Sequence, residues 1–248
     1  SKPTTIMIPF FRKIRKKLAD DNKPIKYLRY AIGEIVLVVI GILIALSINN
    51  WNEDRQLRNQ EFKILTDVKS NLETTLKNFK DDTLYNFNTI QQFNKIKRYI
   101  IEDLPYNKEL DSAFGKLSNW ASPYPILTAY KTLQTKGLDI ISNEKLRSDI
   151  VNLYEFEYDR LRSDNDQAEW VLMQTVVYPF LSKHVRTFKE NSKSYAKPND
   201  FESMKKNDEF LNILEMIISH RESGLRAYKS VMNSIIKQIS MIDIDISI

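Results

Sequence analysis

The chain has 248 residues, 42% of them hydrophobic, which is enough for one domain of ordinary size with its own core. It contains no cysteine, which excludes disulfides, thiolate metal sites and a cysteine nucleophile. Its net charge of +5 is uneven, because residues 1–29 hold nine basic and two acidic residues whereas residues 30–248 hold 28 and 30. The larger part is therefore nearly neutral, and we expect no nucleic-acid partner.

The most informative stretch is the apolar run from Tyr30 to Ile48, YAIGEIVLVVIGILIALSI, in which Glu34 is the single charged residue. Nineteen helical residues extend over about 28 Å, close to the thickness of a bilayer's hydrocarbon core. A buried core helix is the alternative, but no other part of the chain is apolar enough to enclose this one. The run therefore predicts a transmembrane helix over residues 30–48.

Basic residues before the run predict its orientation. Eight of them lie within about twenty residues of it, against three in the twenty residues after it. We therefore expect residues 1–29 in the cytoplasm and residues 49–248 across the inner (cytoplasmic) membrane, which in a Gram-negative cell is the periplasm. Ala45-Leu46-Ser47 loosely fits a cleavage site, but the long basic region and long apolar run favour an uncleaved signal anchor. The eight residues are Arg12, Lys13, Arg15, Lys16, Lys17, Lys23, Lys26 and Arg29.

Residues flanking the run predict contacts with the bilayer. Phe10, Ile14 and Leu18 recur at i+4, which predicts a short amphipathic helix lying on an anionic leaflet. Its cations would contact lipid headgroups or, as the alternative, only set the topology; they are Arg12, Lys13, Arg15, Lys16 and Lys17. Interfacial aromatic anchors are expected at Tyr27, Tyr30 and Trp51.

Within the run, small residues and one acid suggest packing against another helix. Gly33, Gly41 and Ala45 lie on one stripe with Leu37, and small residues so spaced allow two helices to approach closely. This favours a homo-oligomer or a partner membrane protein. Glu34 lies near the cytoplasmic end, where its carboxylate could snorkel to headgroups, contact a partner helix, or titrate in an ion-coupled assembly.

The rest of the chain predicts an all-α fold, in which the transmembrane helix continues into an extracytoplasmic antiparallel helical bundle with long helices and coiled-coil character. Residues 184–199 are polar and lysine-rich, which indicates a loop, and residues 241–248 indicate a short strand or a frayed end. The span is predicted to continue as a helix to Leu104, with a possible jog at residues 80–83. A short helix is predicted over about 108–119, and another within 125–137 that Gly137 ends. A long helix capped by Ser142 or Asn143 is predicted to run to Tyr178, where Pro179 kinks or ends it, and a last long helix begins at about Asn207.

Apolar residues three and four apart predict the buried face of each long helix. The three predicted stripes are Leu65, Val68, Leu72, Leu76, Phe79, Thr83, Phe87, Ile90, Phe93 and Ile100 or Ile101; Leu146, Ile150, Leu153, Glu157, Leu161, Ala168, Val171 and Thr175; and Leu211, Leu214, Ile218, Leu225, Tyr228, Met232, Ile235 and Ile239.

No residue pattern indicates an enzyme. His184 and His220 lack carboxylates at metal-ligand spacing, and no phosphate-binding loop, GxSxG or HExxH motif occurs. We expect no catalytic residue, cofactor or metal. The acids Glu155, Glu157, Asp159, Asp164, Asp166 and Glu169 predict a solvated helix face, and the aromatics Tyr154, Phe156, Tyr158, Trp170, Tyr178 and Phe180 predict core, with a ligand slot between helices as the alternative.

Two segments carry a family resemblance. FFRKIRKKL followed by YAIGEIVLVVIGILIALSINNWNE, within Phe10 to Glu53, resembles the amino-terminal signature of an uncharacterised single-span membrane-protein family of Bacteroidetes, one of the domain-of-unknown-function families. AYKTLQTKGLDIISNEKLR, from Ala129 to Arg147, resembles a recurrent segment of the same family. The resemblance implies an inner-membrane location and an extracytoplasmic helical domain, and it implies no catalytic residues.

Three hypotheses follow. We favour a membrane-anchored, non-enzymatic scaffold or accessory subunit that assembles an envelope complex. A receptor-like module that senses a ligand through its exterior bundle is the first alternative. An ion-coupled membrane subunit that uses Glu34 is the second.

Overall fold

The computed structural model of the protein describes residues 24–191 and 193–247. The predicted amphipathic helix, the headgroup cations Arg12, Lys13, Arg15, Lys16 and Lys17, and the side chains of Tyr27 and Tyr30 lie outside what is described. The chain forms two compact units, Ser1–Asn59 and Gln60–Ile248.

Helix α1, Pro24–Ile101, is 78 residues long. In the first unit every side chain from Ile35 to Asn59 is exposed. Among the described residues, α1 is the one helix long and apolar enough to cross a membrane, and its apolar window has no buried residue. The helix has no break at residues 80–83, so the possible jog does not occur.

The second unit is helical apart from one β-hairpin, which confirms the predicted all-α class with a small exception. After α1 come α2 (Leu110–Phe114), α3 (Thr128–Lys136), a single 3₁₀ turn (Leu138–Ile140), α4 (residues 144–184), β1 (Val185–Glu190), β2 (Lys193–Pro198), α5 (Phe201–Lys205) and α6 (Asp208–Ile246).

Several predicted helix ends are confirmed by their caps. Gly137 ends α3 with a φ of +105°, a conformation that glycine adopts without a steric cost. The Asn143 side chain accepts a hydrogen bond from the Leu146 N–H, and the Asn207 side chain accepts one from the Phe210 N–H. The strand or frayed end expected for residues 241–248 is wrong for residues 241–246, which belong to α6, and Ile248 lies outside the described residues.

Helix α4 alternates α-helical and π-helical segments. The α-helical segments are Glu144–Val151, Tyr158–Leu161, Ala168–Leu172 and Tyr178–His184, and the π-helical ones are Asn152–Glu157, Arg162–Gln167 and Met173–Val177. A π-helical turn closes i→i+5 hydrogen bonds and so holds more residues than an α-helical turn. The helix also does not end at Pro179, which falls in the first turn of the α-helical segment after the last π segment.

The π segments change which residues of α4 are buried. With more residues per turn, a stripe that repeats every four residues stays on one face, and the buried side chains Leu161, Glu169, Met173 and Val177 follow multiples of four. The predicted buried positions Ala168, Val171 and Thr175 are therefore wrong, and all three are exposed. Phe156 and Trp170, which we placed in the core, are also exposed.

The hairpin replaces the loop that we expected for residues 184–199. Strands β1 and β2 are antiparallel, with Val185 opposite Pro198 and Glu190 opposite Lys193. Ala196 and Pro198 are buried on one face, whereas the lysine side chains are exposed. Because a two-stranded hairpin buries only one face, its strands have a loop-like composition.

The core consists of two apolar clusters. Cluster A includes residues between Ile64 and Phe79 of α1 and between Tyr228 and Ile242 of α6, and cluster B includes residues between Ile90 and Ile100 and between Phe210 and Ile218. The clusters follow each other in the same order along α1 and α4 and in the opposite order along α6. Helix α6 is therefore antiparallel to the other two, as we expected, while α1 and α4 run in the same direction because residues 115–127 lead the chain back.

Candidate functional site

A layer of polar side chains separates cluster A from cluster B. On each of the three long helices it occupies the residues between the two apolar clusters. We call it the polar layer; its members are Asp82, Asn86 and Thr89 of α1, Asp166 and Glu169 of α4, and His220 and Arg221 of α6.

The guanidinium of Arg221 is the centre of the polar layer. Its side chain has 0% exposure, and its Nε donates to Glu169 Oε1 over 2.6 Å. Nη1 donates to Thr89 Oγ1 over 2.8 Å, and the guanidinium carbon lies 4.9 Å from the ring centroid of Phe93. The third nitrogen, Nη2, is buried and has no acceptor among the described residues. A buried donor without a partner is costly, so this position favours an additional acceptor such as a water molecule.

Burial changes the protonation equilibria of this pair. It raises the pKa of Glu169 above the usual glutamate range, although the adjacent guanidinium of Arg221 opposes the change. Burial likewise lowers the pKa of Arg221, and the Glu169 carboxylate opposes that change. The two groups therefore depend on each other for their charged forms, and removal of either leaves an uncompensated buried charge.

A small cavity adjoins Arg221, with a volume of about 20 Å³ available to the centres of water molecules. One water needs about 10–15 Å³ by this measure, together with two or more polar partners. Trp120 Nε1 donates to Asp166 Oδ1 over 2.9 Å at its wall, and His220 Nε2 lies 2.8 Å from the carbonyl oxygen of Asn165. The cavity can hold one water beside Arg221, and it is too small for an organic ligand.

Asp82 lies at the edge of the polar layer that faces cluster A. The hydroxyl of Tyr228 lies 3.5 Å from its Oδ2. Burial raises the pKa of Asp82 to about 6, while the Tyr228 hydroxyl opposes the change. The carboxyl of Asp82 therefore changes charge in a physiological pH range.

A larger groove lies between α4 and α6, with a volume of about 490 Å³, which is in the range of small-molecule pockets. Phe156 and Arg160 line its α4 side, and Ser230 and Ser234 line its α6 side. Asn165 lines both this groove and the small cavity beside Arg221. Through Asn165, a molecule in the groove would contact the polar layer.

The described sequence-predicted site residues belong to the first unit, whereas the polar layer belongs to the second. A Cβ added at Gly33 or Gly41 would have no neighbour within 4 Å among the described residues, and Ala45 and Trp51 are exposed. Glu34 is half-buried on the same helix. These residues form an open surface on the first unit. Among the described residues, no group of three or more His, Asp or Glu side chains is placed to hold a metal ion.

Sequence reasoning missed the polar layer. Glu169 was assigned to a solvated face, which is wrong because its residue is 5% exposed. Arg221 follows Ile218 by three residues on the buried stripe of α6, where the predicted apolar positions skip from Ile218 to Leu225. A charged residue at a buried-stripe position between two apolar ones was the signal in the sequence that could have indicated a buried charge.

A family model described as a family of unknown function (DUF6090) matches residues 34–211, more than two thirds of the chain. The match contains the Ala129 to Arg147 segment and begins within the apolar run, at Glu34. No curated protein and no solved structure matches the chain. The comparisons therefore add a family without an assigned activity.

Proposed function

The chain belongs to the family of unknown function DUF6090, and we propose that it is a single-pass membrane protein that acts without catalysis, as a scaffold or assembly subunit of an envelope complex. In this proposal residues 1–29 are cytoplasmic, residues 30–48 span the inner membrane, and residues 49–248 form a periplasmic domain. The narrower resemblance to single-span inner-membrane proteins of Bacteroidetes is part of the same proposal.

One observation carries the proposal: the apolar stretch of α1 is exposed on every side. A continuous surface of Ile, Leu and Val around a whole helix is far larger than the apolar patches of soluble monomers. Lipid chains would cover most of it, since a helix satisfies its own backbone hydrogen bonds in a bilayer. The open stripe at Gly33, Gly41 and Ala45 supports a second helix at that face.

The test is the oligomeric state of the full chain in lipid nanodiscs and its change on substitution. We expect an oligomer or a bound partner for the wild type and dissociation for the double variant G33L/G41L, because leucine side chains prevent close helix approach. V39L, which enlarges a residue off the stripe, is the matched control. A wild-type monomer without partners, or a protein that is soluble without detergent, would overturn the proposal.

A second candidate function, a ligand-sensing module, is favoured by the groove that shares Asn165 with the polar layer. Ligand in the groove would stabilise the bundle by an amount that grows with the logarithm of the ratio of ligand concentration to Kd. A screen of the full chain in detergent should then find small molecules that raise the melting temperature. S230L, which fills the groove, should abolish the shift, and a shift that persists in S230L would place the ligand elsewhere.

A further inference from the structure

The β-hairpin and the end of α4 that leads into it form the stretch of the second unit with the highest density of positive charge. Residues 183–197 contain five basic residues and one acidic residue, a net charge of +4. The rest of that unit, residues 60–182 and 198–248, contains 21 basic and 26 acidic residues, a net charge of −5. The basic residues are Lys183, Arg186, Lys189, Lys193 and Lys197, and all five are exposed.

The two faces of the hairpin differ. Side chains alternate between faces along a strand, and the face with Ala196 and Pro198 is buried against the second unit. Gly115 allows this contact, because a Cβ there would lie 2.9 Å from the carbonyl oxygen of Ser194. The opposite side, which we call the outer face, consists of Arg186, Phe188 and Glu190 with their cross-strand partners Lys197, Tyr195 and Lys193.

The outer face contains an unfavourable charge pair. Arg186 lies directly opposite Lys197, and like charges at opposite positions destabilise a pair of strands. In residues 24–191 and 193–247 neither cation forms an ion pair with a carboxylate. An anion from outside the chain would remove the repulsion.

An aromatic platform lies beside this charge pair. The rings of Phe188 and Tyr195 stack, with centroids 5.8 Å apart and planes at 22°. Lys197 Nζ lies 5.9 Å from the centroid of Phe188. Cations around a half-buried aromatic pair fit the boundary between water and hydrocarbon. There the aromatic rings contact the apolar side, and the charged ends of the lysine and arginine side chains stay on the water side.

We propose that the outer face binds the surface of a bilayer that contains anionic phospholipids. The cations would contact lipid phosphates, and Phe188 and Tyr195 would enter the headgroup region. Size favours lipid over a protein partner: two six-residue strands present roughly 200 Å², whereas a specific protein interface buries at least about 1,000 Å². A lipid surface needs no minimum area, because each cation contributes separately.

The test uses the full chain in phosphatidylcholine nanodiscs, mixed with separate vesicles of phosphatidylcholine and phosphatidylglycerol at 7:3. The variant R186Q/K193Q/K197Q, which removes the three cations of the outer face, should bind these vesicles roughly 100-fold more weakly than the wild type at low salt. K77Q/K80Q/K131Q removes the same charge at three exposed positions off the hairpin and should bind as the wild type does. Both variants keep the basic leader, so their difference reports the hairpin.

A second readout locates the contact. In Y195W, anionic vesicles should shift the tryptophan emission to shorter wavelength by more than they do in the wild type, which has three tryptophans of its own, and pure phosphatidylcholine vesicles should not. Equal losses in the two charge variants, or no emission shift, would overturn the proposal. Binding of a soluble glutamate decamer by the wild type in place of vesicles would also overturn it and indicate an acidic protein partner. If the chain proves soluble without detergent, the same assay runs without nanodiscs, so the result is independent of the proposed anchor.

Discussion

Helix α1 contains two stretches with opposite surroundings. From Ile35 to Asn59 every side chain is exposed, whereas from Gln60 to Ile101 one stripe is buried and includes Val68, Leu72 and Phe79 at 0% exposure. Apolarity does not explain this difference, because the exposed stretch contains the longest apolar run of the chain. The buried stretch has partners: complementary stripes on α4 and α6 of the second unit. Local sequence makes both stretches helical, and partner surfaces decide which side chains are buried.

The largest expected effect tests that difference directly. Phe79 packs edge to face against Tyr158 and Tyr228, with centroid distances of 6.1 and 5.1 Å. F79A should lower the free energy of unfolding of the second unit by about 3–5 kcal/mol, because it leaves a cavity in cluster A. L43A in the exposed stretch should leave that value unchanged. Denaturant titration of the full chain in detergent measures both, and equal losses would contradict the comparison.

The next effect concerns the polar layer, where the buried stretch of α1 contacts the charged side chain of Arg221 and not an apolar side chain. R221M should destabilise the second unit by about 3 kcal/mol, because it leaves the Glu169 carboxylate buried without its partner. The double variant E169L/R221M should recover more than half of that loss. E222Q, at the exposed neighbouring position, is the control and should be neutral. A double variant that is no more stable than R221M would show that the pair is not coupled.

A smaller effect separates two glycines of the second unit. A Cβ at Gly115 would lie 2.9 and 3.0 Å from backbone atoms of the hairpin, whereas one at Gly224 would lie 3.7 Å from a side-chain atom of Asn165. G115A should therefore cost about 1–3 kcal/mol by forcing the hairpin away. G224A should be neutral or stabilising by up to about 1 kcal/mol, since alanine favours the helix. Thermal unfolding of the two variants gives the comparison, and equal effects would argue against the close approach at Gly115.

The smallest effect is a pH dependence. Burial raises the pKa of Asp82 from 3.8 to about 6, so the folded chain binds a proton that the unfolded chain releases between these values. This group therefore destabilises the folded state above pH 6, and the penalty declines as the pH falls toward 3.8. The melting temperature of the wild type minus that of D82N should be higher at pH 5 than at pH 7.5. A difference that does not change with pH would contradict a buried, titrating Asp82.

Much of the fold was predictable because helix signals are local. The caps act within a few residues of themselves: Gly137 was predicted as a C-cap, Asn143 was one of two predicted N-cap residues, and the last helix was expected to begin near Asn207, which is its N-cap. The apolar stripes of α1 and α6 were also largely confirmed. Phe87 is an exception: it is 50% exposed, and Asn86 is buried in its place. Asn86 bonds both the N–H and the carbonyl of Ala121, a contact across 35 residues that no local pattern contains.

The candidate site was not predictable for the same reason. Glu169 and Arg221 are 52 residues apart in sequence, and each alone has the composition of a surface position. Their burial depends on the π-helical segments of α4, which rotate Glu169 inward and Val171 outward. The hairpin was missed because its polar outer face has the composition of a loop.

By itself the sequence determined that this chain contains one long apolar helix followed by a helical domain, because length, apolarity and capping are properties of neighbouring residues. Tertiary structure alone decided that a charged pair separates two apolar clusters and that Gly115 packs against the hairpin. Those arrangements depend on contacts between distant segments, whose free energies exist only once the helices have packed.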